Sequence, residues 1–149
     1  MKKFLTLNTK QTILLFLLAD TLCLGAGMGV PIFCILFGFP LGWYIAKRVS
    51  LSENTPRLVH AAILKISLLT TAYTFFMLVV IWSAAIFINI HTASDIQNFG
   101  QPFLLYDPVV SFYGWLVLMV LVSPFLQLLT TIFAAFVALL SDNWSGLTH

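Results

Sequence analysis

Two apolar runs limit what this chain can fold into. One extends from about Ala61 to Ile90 and contains "ISLLTTAYTFFMLVVIWSAAIFINI"; the other, from about Val110 to Leu140, holds no charged residue. A helix needs about 20 apolar residues to cross a hydrocarbon core of about 30 Å. Each run exceeds that length, so tilt or projecting ends are expected. Only 8% of the 149 residues are charged and 60% are hydrophobic, whereas a soluble domain carries roughly 25% charge. Lipid is the expected solvent for most of the surface. The length suits one integral membrane domain, residues 1–149.

The N-terminal third is nearly all apolar from Ile13 to Ala46. As one straight helix it would measure about 50 Å, too long for one crossing. The stretch "GAGMGVP", from Gly25 to Pro31, contains three glycines that tolerate positive φ and a proline suited to the first turn of a helix. It predicts a tight hairpin, with a first helix over about 9–26 and a second over about 31–46. Asn8 and Gln11 have the spacing of a capping box for the first helix. Thr55 and Pro56 signal the start of a third helix over about 57–90. A fourth spans about 110–140, with an outer loop at 91–109. Pro124 lies inside the fourth helix and is expected to kink it, because its ring removes one ladder hydrogen bond. The predicted fold is an all-α, four-transmembrane-helix bundle.

Charge supports the hairpin. The seven basic residues fall in two groups. Lys2, Lys3 and Lys10 precede or open the first helix, and Lys47, Arg48, Arg57 and Lys65 lie around the junction of the second and third. With four spans all seven sit on one side, which the positive-inside rule makes cytoplasmic together with both ends of the chain. Trp43 and Tyr44 next to Lys47, and Tyr106, Tyr113 and Trp115 at the other end, fit the headgroup level. Trp82 lies mid-span, where packing is its expected role. A secretory signal peptide is the rival reading of "MKK" followed by an apolar run, but Asp20 interrupts that run. The cell membrane is the expected location, with residues 1–26 retained.

Asp20 is the residue most in need of an explanation. It lies roughly 17 Å along the first helix, near the bilayer midplane, with no Lys, Arg or His at that depth. An intramembrane acid is a functional hypothesis by default. On the fourth helix Ser123, Gln127, Thr130, Thr131, Ala134 and Ala138 share a face, and Gln127 and Thr130 lie about 20 and about 15 Å from its inner end. Ser67, Thr70, Thr71 and Thr74 share a face of the third helix. These depths predict a polar seam of Asp20, Thr74, Gln127, Thr130 and Thr131. The seam can line a proton- or cation-coupled pathway, or serve as glue between helices, where such bonds average about 0.6 kcal/mol.

Cys23 and Cys34 flank the predicted turn symmetrically, which permits a disulfide if their Cα atoms come within about 7 Å. They form no CxxC, so redox chemistry has little support. Gly25/Gly29 and Gly38/Gly42 are GxxxG pairs that allow close helix contact. Pro40 lies inside the second pair and is expected to bend the second helix and free the carbonyl of Leu36. The glycine cluster lacks the strand and spacing of a nucleotide fingerprint.

No HExxH, paired carboxylates, Ser–His set or metal-ligand array is present, so no catalytic residue, metal or cofactor is expected, and the net charge of +2 gives no reason to expect nucleic acid. The apolar stretch Phe103–Tyr106 in the outer loop is a candidate contact for the membrane surface or a partner. Two functions fit these features. One is an accessory, scaffold or assembly subunit working through helix contacts with another membrane protein or with copies of itself. The alternative is a small proton- or cation-coupled transporter or channel using Asp20 and the Ser/Thr/Gln seam. The small multidrug exporters share the four-span architecture with an acid in the first helix, but no motif matches, and architecture alone is weak evidence of function.

Overall fold

The computed structural model describes residues 9–26, 32–52, 55–90 and 107–146. Among the described residues there are helices and no strand: α1 (Thr9–Ala26), α2 (Ile32–Ser52), α3 (Pro56–Asn89), α4 (Pro108–Val117), a π-helical turn (Leu118–Val122) and α5 (Ser123–Gly146). Three segments are long and apolar enough to cross a membrane: Ile32–Leu51, Pro56–Asn89 and Pro108–Ser141. The first helix has 18 residues, with Lys10 and Asp20 within it, and is not one of these three.

The predicted boundaries need correction at four places. The second helix does not stop at residue 46 but continues to Ser52, so it is 21 residues long rather than short. Lys47 and Arg48 therefore belong to its last turns and not to a loop. Lys47 lies 5.9 Å from the Trp43 ring, one turn back, and such cation–π contact tolerates a charge at a helix end. Arg48 donates to Tyr44 Oη at 2.8 Å and to Thr12 Oγ1 on α1. Secondly, the third helix starts at Pro56 as its sequence signal indicated, but Thr55 makes no side-chain cap bond. Thirdly, the fourth predicted helix begins earlier, at Pro108, because Asp107 caps it by accepting from the backbone N–H of Val109 and Val110.

The fourth correction concerns Pro124. The helix responds with a π turn immediately upstream, in which the Ser123 N–H reaches back to the Leu118 carbonyl. An α-helical register would aim the Val120 carbonyl at the proline ring; the wider turn relocates that group at the cost of one register step. The turn at 27–31, the capping residue Asn8 and the outer loop at 91–106 lie outside the described residues.

Side-chain exposure is inverted relative to a soluble bundle, where polar groups face out. The largest fully buried side chains are Gln127, Thr74, Thr131, Asp20, Ser67 and Ser123, while Phe87 is 83% and Leu22 72% exposed. Two apolar clusters flank this polar layer. One joins Leu41, Ile45 and Val49 of α2, Val59 and Ile63 of α3, and Ala135 and Ala138 of α5. The other joins Leu24 of α1, Cys34 of α2, Leu78 and Trp82 of α3, and Met119, so Trp82 is the packing residue expected of it. The pairing of Val59 and Ile63 with Ala135 and Ala138 shows that α3 and α5 run antiparallel. Phe16 stacks on Phe37 with ring centroids 6.1 Å apart, and with the Thr12–Arg48 bond this sets α1 antiparallel to α2.

Candidate functional site

α2 and α5 approach each other backbone to backbone. A Cβ on Gly42 would overlap the Thr131 carbonyl oxygen and lie 2.9 Å from its carbon and 3.0 Å from Ala134 Cβ. One on Gly38 would overlap Thr130 Oγ1 and lie 2.8 Å from the Gln127 carbonyl. The Gly38/Gly42 pair therefore does what GxxxG spacing permits, and does it within the chain. The other pair differs. Gly25 has nothing within 4 Å of its Cβ position, so it is not a packing glycine, and Gly29 and Pro31 lie outside the described residues.

This close approach brings α5 up to the acid on α1. Asp20 is fully buried. Thr74 Oγ1 on α3 lies 3.0 Å from Asp20 Oδ2 and 3.2 Å from Oδ1. Gln127 Nε2 on α5 donates to Oδ1 at 3.4 Å. Three helices thus meet at one carboxyl group.

The predicted seam divides in two. Asp20, Thr74 and Gln127 form the node. Thr130 and Thr131 do not reach the acid. Thr131 Oγ1 returns to the Gln127 carbonyl of its own helix at 2.7 Å. Thr130 Oγ1 donates to the Ile35 carbonyl of α2 at 2.9 Å and lies 3.0 Å from the Gln127 carbonyl. The reason is reach. Thr130 and Thr131 share the face of Gln127 but lie about 4.5–6 Å further along α5, level with Gly38 and Gly42 of α2, and their short side chains bond there. The carbonyl used by Thr130 is that of Ile35, one residue before Leu36, whose partner Pro40 removes. A threonine placed beside the interrupted turn supplies a donor where the ladder is weakest.

Ser67 and Ser123 are site residues that the seam omitted. Both are fully buried. Their signal was present: Ser67 lies seven residues before Thr74 and Ser123 four before Gln127, each on the node's face. A second polar group, Thr12 with Tyr44 at 3.1 Å and Arg48 between them, ties the first turn of α1 to the end of α2. Its Arg48 lies in the part of α2 beyond the predicted end at residue 46.

Cys23 and Cys34 are free thiols, Cys34 buried and Cys23 partly so. The intact mass should be the same with and without reductant. In mild detergent an alkylating reagent should modify Cys23 faster than Cys34, and both only after denaturation. A mass lower by two hydrogens before reduction would contradict this.

Between α3 and the π turn runs an apolar groove of about 300 Å³, lined by Val79, Trp82, Leu116 and Val120 among others. It offers no ionisable group. Among the described residues no set of three His, Cys, Asp or Glu side chains converges to hold a metal ion. The chain was compared with protein-family models, with curated proteins and with solved structures, and it matches none of them.

Proposed function

We propose that the chain is a four-span integral protein of the cell membrane, with both ends cytoplasmic, that works as an accessory or assembly subunit through contacts of its transmembrane helices. The hairpin of α1 and α2 is part of this reading, because a single crossing by residues 13–46 would leave Lys2, Lys3 and Lys10 on the side opposite the other four basic residues. The observation that carries it is the node that joins three helices. Asp20, Thr74 and Gln127 are spent on joining α1, α3 and α5 inside the bundle, and the exterior is left to bulky apolar side chains such as Leu22, Leu69 and Phe87. A surface of that kind is matched by lipid and by other membrane helices. The reading assigns no catalytic role, cofactor or nucleic-acid partner.

Purification in mild detergent followed by native mass spectrometry tests it. A second membrane protein in fixed stoichiometry is the expected result, and a homo-oligomer that binds a ligand in a pH-dependent way would replace it with the second reading. That reading, a proton- or cation-coupled transporter, is favoured by one observation: Gln127 Oε1 at the node is buried without a hydrogen-bond partner.

A further inference from the structure

The polar layer holds more oxygen atoms than its own contacts use. Ser67 Oγ, Thr71 Oγ1, Ser123 Oγ and Gln127 Oε1 are buried and have no hydrogen-bond partner. A helical serine or threonine commonly returns its hydroxyl to the carbonyl four residues back, as Thr70, Thr74 and Thr131 do here. Ser67, Thr71 and Ser123 do not. Such a group is costly if left dry, and ordered water is the usual partner of buried polar groups that the protein itself leaves unsatisfied.

The four atoms belong to side chains that fall in line. Ser67 and Thr71 precede Thr74 on one face of α3, a rise of about 10 Å from Ser67 to Thr74. Ser123 precedes Gln127 by one turn of α5, about 6 Å. Because α3 and α5 are antiparallel, Ser67 and Ser123 lie on opposite sides of the Asp20 carboxyl group. The polar column therefore extends from the acid toward both ends of the bundle.

We propose that this column is hydrated and that Asp20 is an exchangeable proton-binding site at its centre. The inference goes beyond the accessory-subunit reading and requires no net transport. The ligand is a proton and not a divalent metal. The carboxyl group meets one hydroxyl and one amide, whereas calcium takes about 6–8 oxygen ligands and magnesium a near-octahedral shell. The ionisable side chains that couple to its charge are Cys23 on α1 and Cys34 on α2. α3 and α5 present Thr74 and Gln127, neither of which titrates in water.

Thr74 makes the two states possible. Its one hydroxyl hydrogen has three acceptors in reach: both Asp20 oxygens and, at 3.2 Å, the Thr70 carbonyl. With the acid protonated, Asp20 Oδ2 donates to Thr74 Oγ1, Thr74 donates to Thr70, and Gln127 Nε2 donates to Asp20 Oδ1, so the carboxyl and hydroxyl hydrogens each have an acceptor. When the proton leaves to water in the column, the Thr74 hydroxyl turns and donates to the carboxylate.

Infrared difference spectroscopy of the full chain in phosphatidylcholine vesicles tests this, titrated between about pH 4 and about pH 10. The expected result is one carboxylic C=O band that titrates as a single group, moves to lower frequency on exchange into D2O, and is lost in Asp20→Asn. Thr74→Val should shift the same band and carries the test if Asp20→Asn does not fold. Absence of the band, its persistence in Asp20→Asn, indifference to D2O, or indifference to Thr74→Val would overturn the proposal. Proton flux across the same vesicles reads the transport function separately: the band without flux removes the transporter reading and leaves the proton site standing.

Discussion

Gly42→Val is expected to separate α2 from α5 and to leave little folded protein in detergent. The Cβ position of Gly42 is already occupied by the Thr131 carbonyl. That is backbone, which cannot rotate away as a side chain would, so one of the two helices must move. Overpacking by a single methyl costs roughly 1–3 kcal/mol, which is the loss expected for Gly42→Ala; the two further methyls of valine add to it. Gly38→Ala should cost less: it overlaps the rotatable Thr130 hydroxyl, whose bond to Ile35 is lost, and its backbone clash, with the Gln127 carbonyl at 2.8 Å, is milder than that at Gly42. Gly25→Ala meets nothing within 4 Å and should stay within about 0.5 kcal/mol of the parent. Thermal or denaturant unfolding of the four variants gives the ranking. Equal stability of Gly42→Ala and Gly25→Ala would show that α2 and α5 do not meet as described.

The second large effect is expected at Asp20, and it depends on which residue replaces the acid. Asparagine keeps both contacts: its oxygen accepts from Gln127 and its amide donates to Thr74. Expression and stability should be close to the parent, since one polar bond between membrane helices is worth about 0.6 kcal/mol on average. Leucine removes the acceptor from both partners at once. Gln127, whose Oε1 already has no partner, is then buried with no bond to α1 at all, and each orphaned group costs about 1–3 kcal/mol. The prediction is a clear loss for Asp20→Leu that Gln127→Leu partly rescues, read by unfolding of the single and double variants. If leucine is tolerated as well as asparagine, the node contributes nothing to stability.

Much of this arrangement can be read in the sequence, for identifiable reasons. The limits of α1 match the predicted 9–26, and α3 differs by one residue at each end, because apolar runs bounded by Gly and Pro leave little choice. The depth arithmetic that joined Asp20 to Thr74 and Gln127 succeeded because straight helices rise uniformly. It does not hold for Thr130 and Thr131, which share that face but lie a turn further along α5, where their short side chains meet Gly38 and Gly42 of α2 and fall short of the acid. The end of α2 was misplaced because Lys47 and Arg48 read as solvated loop, while in the fold they continue the helix by bonding or stacking one turn back. Pro124 was rightly seen as a disturbance of the ladder, but a proline signal does not say whether a helix bends or widens.

The tight seat of α2 on α5 also fixes an order of events during biogenesis. Gly38 and Gly42 lie roughly ninety residues ahead of Thr130, Thr131 and Ala134, the partners that fill their notch. When α2 leaves the insertion machinery, the helix that it must grip has not yet been synthesised. Closing so long a loop is slow, and until then the glycine face of α2 lacks the helix that fills it and the acid of α1 has Thr74 of α3 but not Gln127. The chain therefore cannot mature span by span, and α5, the last described helix to be made, is the one that locks the others in place.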